Sequence, residues 1–128
     1  MTWTFDTNKP IYLQIVERLK LEIVAQELAA GDKLPSVRDL AQTAGVNPNT
    51  IQRALSELEN QKLVYSRRTS GRFVTEDQEL IDLLRQELSQ TILQSFVDRM
   101  TQLGHKEQEL PQLLSRYIKE AHHDTTDI

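Results

Sequence analysis

The stretch "GVNPNTIQRAL", Gly45 to Leu55, limits what the chain can fold into more than any other. Gly45 is a natural helix stop. Asn47 is a favoured N-cap, and Pro48 suits the first helical position, where its preset φ helps and its missing N–H costs nothing. One helix must end and another begin across three residues, Gly45 to Asn47. Upstream, Leu40, Ala41 and Ala44 mark the apolar side of the first of these helices. Ser36 opens it, and Asp39 three residues on resembles a capping box with Asp in place of Glu. Downstream, Ile51, Ala54, Leu55 and Leu58 share one face of the second.

The flanking segments extend this pair into a domain. Ile11, Ile15, Leu19 and Ile23 recur at fourfold spacing, which predicts a helix from Pro10 to Leu28, closed near Gly31. "GDKLPS" reads as a short turn, because Pro35 disfavours helix at Leu34. Leu63 to Ser66 and Arg72 to Val74 are β-prone and flank Thr69-Ser70-Gly71, the pattern of a hairpin. Three helices followed by a hairpin give the order of a winged helix-turn-helix. From Asp77 the character changes. Ile81, Leu84, Leu88, Ile92, Phe96, Met100 and Leu103 repeat every three or four residues up to Gly104. A shorter helix, Leu110 to Ala121, carries Leu113, Leu114, Tyr117 and Ile118, and "HHDTTDI" reads as a frayed tail.

The predicted architecture is thus mostly α: a winged helix-turn-helix domain over residues 1–76, then a helical dimerisation segment over 77–128. Two helices with this much apolar surface and no third layer cannot bury it alone. Either the first domain or a second copy must cover it; a second copy is favoured, with Ile81, Leu84, Leu88, Ile92, Phe96, Met100, Leu114 and Tyr117 in the seam. Trp3 and Phe5 are read as packing residues.

Charge distribution points to a partner. The formal net charge is −4, yet residues 33–75 hold 7 Lys/Arg against 3 Asp/Glu, so the acidity belongs to the C-terminal part. Lys62 to Arg72 carries four basic residues and no acid. A phosphate-binding face needs such a local excess, whatever the global sign. The absence of cysteine excludes disulfides and thiol nucleophiles, and no triad or active site assembles. His122, His123 and Asp124, with His105, lack the spacing of a metal site, so neither metal nor cofactor is expected. No apolar run reaches membrane-spanning length and the first ten residues lack signal-peptide character, which predicts a cytoplasmic protein.

In a helix-turn-helix the N-terminal end of the second helix enters the major groove. Here that end is Asn47 to Arg53. Asn49 and Gln52 carry amides able to pair with adenine, Thr50 a hydroxyl and a methyl, and Arg53 a guanidinium for guanine or phosphate. The plainer alternatives are capping for Asn47 and Thr50, and surface ion pairs of Arg38 with Asp39 and of Arg53 with Glu57. Arg67, Arg68 and Arg72 suit backbone or minor-groove contacts from the wing.

"LPSVRDLA" followed by "GVNPNTIQRALSELENQKLVYSRRTSGRFV" resembles the DNA-binding domain of GntR-type bacterial transcription regulators, over about residues 8–75. The short two-helix C-terminus is similar to that of the YtrA-like subfamily. The wing departs from the family's "RRGxGTFV": it has Thr69 in place of a glycine, and Arg72 follows Gly71. The resemblance implies that Arg38 and positions 49, 50 and 52 lie at the DNA surface. The full set assigned to DNA is Ser36, Arg38, Asn47, Asn49, Thr50, Gln52, Arg53, Arg67, Arg68, Gly71 and Arg72, with Ser36 and Asn47 also capping helices.

The expected function is sequence-specific regulation of transcription, as a homodimeric repressor on a palindromic double-stranded operator. The resemblance further implies an ABC-transporter operon as target. The alternative is a winged-helix adaptor for an acidic protein partner, without sequence-specific DNA binding. No dedicated ligand domain is visible, so a small-molecule effector would need the dimer interface or the space between domains.

Overall fold

The computed structural model describes residues 3–126, with side chains through His122. The order is α1 (Ile11–Val24), α2 (Val37–Ala44), α3 (Pro48–Asn60), β1 (Val64–Arg67), β2 (Gly71–Val74), α4 (Gln78–Gln102), and α5 (Leu110–Thr126), the last entered through a 3-10 turn at Glu107–Glu109. Two compact units result, residues 1–85 and 86–128.

The first unit is built on the predicted apolar faces. Ile15, Leu19 and Ile23 of α1 are buried with Leu40, Ala41 and Ala44 of α2 and with Ile51, Ala54, Leu55 and Leu58 of α3. α3 packs on α1, α2 and β1, so it is the central helix of the unit. The α2–α3 link forms as the residues demand. Gly45 takes a left-handed φ of 73°, and its N–H closes on Ala41 O at 2.9 Å.

α1 is shorter than its apolar spacing predicts at both ends. Pro10 stands outside as the N-cap residue, and the helix stops at Val24. Gln26 adopts φ 64°, a left-handed value, and the chain turns back so that Leu28 N–H donates to Glu22 O at 3.1 Å.

The wing is an antiparallel hairpin with Val64 opposite Val74, Tyr65 opposite Phe73, Ser66 opposite Arg72 and Arg67 opposite Gly71. Gly71, at φ 100°, occupies a backbone conformation that side-chain-bearing residues rarely adopt. The segment expected as a plain turn before α2 also pairs with β2 through an isolated bridge. Lys33 bridges Phe73, Leu34 N–H donates to Arg72 O at 2.8 Å, and Val74 N–H donates to Asp32 O at 2.8 Å. That pairing anchors the wing to the start of α2.

α4 begins where composition shifts, with Leu80 N–H donating to Asp77 Oδ1 at 3.2 Å. Its first two turns belong to the first unit. Ile81 and Leu84 are buried there, 2% and 5% exposed, and Arg85 Nη2 donates to Val24 O at 2.7 Å. These two residues, predicted for a dimer seam, are instead core residues. The helical stripe is continuous in sequence, and periodicity alone cannot show where intrachain cover ends. In the second unit Leu110 is buried, while Ile92, Leu93, Leu103 and Tyr117 are 64%, 51%, 75% and 70% exposed. α5 continues through Thr126, so the polar end predicted to fray from His122 is helical that far; Asp127 and Ile128 lie outside the described residues.

Candidate nucleic-acid interface

Two side chains set where the interface begins. Ser36 Oγ accepts from Asp39 N–H at 3.0 Å, opening α2, and Asn47 Oδ1 accepts from Asn49 N–H at 2.8 Å, opening α3. Each satisfies one backbone donor that the first helical turn would otherwise leave without a partner. Asn47 is therefore a cap, and its acceptor oxygen is committed. Ser36 keeps its hydroxyl proton for an incoming acceptor.

Beyond the cap, Asn49, Gln52 and Arg53 are exposed on the first two turns of α3 and Thr50 is half-buried, while Ile51, Ala54 and Leu55 face inward. Arg38 is exposed on α2. Asn49, Thr50 and Arg53 line a shallow groove with Pro10, Ile11 and Tyr12 at the start of α1. There the Arg53 guanidinium lies 3.8 Å from the centroid of the Tyr12 ring. Glu57, its expected i,i+4 partner, instead accepts from Gln61 Nε2 at 2.8 Å. This cation–π contact holds Arg53 against α1 without using its N–H donors, which stay available to oxygen acceptors.

The wing arginines divide by strand alternation. Arg67 shares a face with Tyr65 and Phe73, and its guanidinium lies 4.9 Å from the Phe73 centroid; the two rings stack at 5.7 Å. Arg68 is exposed at the hairpin tip. Arg72 lies on the opposite face with Val64, Ser66 and Val74, the face turned to α3. Its Nε donates to Glu59 Oε1 at 2.7 Å and its Nη2 to Gln52 Oε1 at 2.9 Å. Ser66 Oγ donates to the same Glu59 oxygen at 2.7 Å. The Glu59 carboxyl is held below its ordinary value, chiefly by the Ser66 hydrogen bond; burial opposes this, and Arg72 adds a hydrogen bond and its charge.

Two predicted residues also have roles within the chain. Arg72, expected at DNA, makes intramolecular bonds to α3, and Gly71 serves the hairpin geometry. The signal was present in the strand period: Val74 inward places Arg72 inward as well. A second cleft, lined by Lys33, Ser36, Val37, Asp39 and Thr69 to Arg72, lies between the wing and the start of α2. Recognition helix, α2 start and wing thus form one surface, joined through Arg72 and Gln52. Among the described residues no group of His, Asp and Glu could hold a metal, and no helix is long and apolar enough to cross a membrane.

A capped helix with exposed amides and guanidinia, flanked by a basic hairpin, defines a winged helix-turn-helix DNA-binding protein. More specifically, the chain belongs to the gntR family of bacterial regulatory proteins, whose model matches residues 11–74. It is 45% identical over 106 residues to the HTH-type transcriptional regulator YhcF of Bacillus subtilis, covering 83% of this chain and 88% of that one. It is 32% identical over 93 residues to the HTH-type transcriptional repressor YtrA of the same organism, covering 68% and 72%. A GntR family regulator from Listeria monocytogenes has the same fold, with a TM-score of 0.79 and 40% identity over 88% of this chain and 98% of that one. The DNA-binding domain of AraR, solved in complex with operator ORX1, matches with a TM-score of 0.51 and 29% identity over 59% of this chain and 92% of that one. The protein is a DNA-binding transcription regulator of this family and not an enzyme.

Proposed function

We propose that the protein is a cytoplasmic repressor that binds a palindromic operator as a homodimer. The observation that carries operator recognition is the Arg72–Gln52 bond. It joins the wing to the reading end of α3, so both address one stretch of duplex. Arg38 and Arg68 supply backbone contacts, Arg53 a phosphate or guanine contact, and Asn49 and Gln52 meet base edges. Repression is supported by relatives named as repressors, YtrA among them.

Dimerisation is supported by the second unit, where Ile92, Leu93, Leu103, Leu114, Tyr117 and Ile118 are all exposed by more than 40%. Leu88, Phe96 and Met100 are half-buried beside them. A twofold dimer presents two recognition helices related by symmetry, which dictates a palindrome and fixes its half-site spacing. The resemblance to YtrA-like regulators extends the proposal to an ABC-transporter operon as target.

The test is selection of bound sequences from random duplexes, with Arg38→Ala as control. The expected result is a palindrome for the natural chain, and weaker but identically patterned enrichment for the variant. Enrichment of no palindrome would overturn the proposal.

A further inference from the structure

The Arg72–Gln52 bond carries a consequence for which bases the protein accepts. A guanidinium has donors only, so the end of the Gln52 amide that faces Arg72 is its oxygen, here at 2.9 Å. Arg72 is itself fixed from behind: Nε donates to Glu59 at 2.7 Å, and Glu59 is further held by Ser66. An exposed glutamine on a recognition helix would ordinarily flip its amide to suit donors or acceptors. Here a flip would set amide donor against guanidinium donor, so the oxygen-to-Arg72 orientation is favoured and the Nε2 donors are left for another partner.

We propose that Arg72 is a specificity-determining positioning residue: through the Gln52 oxygen it fixes the amide donor-outward, so that Gln52 selects a base with a major-groove acceptor and rejects cytosine. On the strand that Gln52 reads, guanine N7 and O6, adenine N7 and thymine O4 all accept, whereas cytosine offers only its N4 amino donor and the acceptors of its guanine partner lie on the other strand. Arg72 acts through Gln52 and makes no phosphate contact of its own. The inference rests on the operator-binding reading.

Base preferences and salt dependence test it together. Selection with Gln52→Ala first locates the position that Gln52 reads, as the one whose preference disappears. At that position the natural chain excludes cytosine. Arg72→Ala frees the amide to flip, and cytosine is tolerated there with discrimination reduced about fivefold or more, the lower end of one good base contact. The slope of log affinity against log salt stays as in the natural chain. Gln52→Glu leaves the wing intact and keeps an oxygen for Arg72, but turns the outward end into an acceptor. Cytosine then becomes the preferred base.

A phosphate-contacting Arg72 gives the opposite pattern: Arg72→Ala lowers the salt slope by about one and weakens all sequences alike, leaving cytosine excluded. That result overturns the proposal, as does a Gln52→Ala variant that alters no position, or a Gln52→Glu variant that still rejects cytosine. If the natural chain enriches no sequence, the operator-binding reading fails and this inference with it. A palindrome with an unchanged Arg72→Ala pattern refutes the inference alone.

Discussion

Arg72 and Glu59 meet at 2.7 Å, tying the middle of the wing to the last turn of the recognition helix. Ser66, directly across the hairpin from Arg72, donates to the same carboxylate oxygen. A four-residue strand pair is too small to hold its own position. Buried Val64 and Val74, this acidic anchor and the backbone pairing with Asp32 and Leu34 together seat the hairpin on the helical core.

The anchor makes stability depend on pH in a defined direction. Glu59 ionises below its ordinary value of 4.5 in the folded protein, so folding favours its charged form. Its contribution is fully present above about 4.5 and is lost as pH falls through the lower folded-state value. The side chains of the pair are 25% and 33% exposed, so solvent screening limits the interaction to about 0.5–1 kcal/mol. Urea unfolding of Glu59→Gln and the natural chain should therefore differ by that amount at pH 7. The difference should shrink well below pH 4.5, and a constant gap would remove the ionised carboxylate as its cause.

The caps should contribute separately from the wing. Ser36→Ala and Asn47→Ala each remove one side-chain acceptor at a helix start and should each destabilise by about 1 kcal/mol. Asn47→Asp keeps an acceptor and should recover most of that loss. Thermal melts followed by circular dichroism distinguish the two alanine variants from neutral surface changes. An Asn47→Ala protein as stable as the natural one would mean the cap is dispensable beside Pro48.

Much of this was legible in the residues, and the failures have local causes. The α2–α3 link could be read because Gly45, Asn47 and Pro48 act through their own backbone chemistry, independent of distant contacts. The hairpin could be read because its ends are β-prone and its turn carries Gly71. The end of α1 could not, since Gln26 adopts a left-handed φ that its residue type does not announce. The bridge from Lys33 to Phe73 joins positions 40 apart, beyond any local pattern. The basic run from Lys62 to Arg72 showed where positive charge concentrates, yet not that Arg72 turns inward while Arg68 stays exposed. Ile81 and Leu84 looked identical in pattern to Leu88 and Ile92, and only packing against the first unit separates them.

Arg53 and Tyr12 should be coupled in DNA binding. The guanidinium lies 3.8 Å from the ring centroid, which restricts an otherwise flexible side chain before DNA arrives. Tyr12→Leu preserves apolar bulk but removes the ring face. At about 0.5–1 kcal/mol for an exposed cation–π contact, operator affinity should fall about two- to fivefold. In an Arg53→Ala background the same change should have no further effect. Fluorescence anisotropy titrations of the two single variants and the double variant measure that coupling directly.

Two positions on α4, Leu84 and Ile92, should respond in opposite ways although they share one helix and one apolar stripe. Leu84 is 5% exposed, so Leu84→Ala should destabilise by about 2–5 kcal/mol through lost burial and a residual cavity. Its oligomeric state, where the chain still folds, should be that of the natural protein. Ile92 is 64% exposed within one chain, so Ile92→Glu meets no intrachain packing to disrupt. In a dimer joined through this face it would place a carboxylate against apolar surface, and the variant should sediment as a monomer with weakened palindrome binding. Sedimentation equilibrium of both variants checks the contrast. An Ile92→Glu protein that stays dimeric and binds the palindrome at full strength would move the dimer contact away from this part of α4.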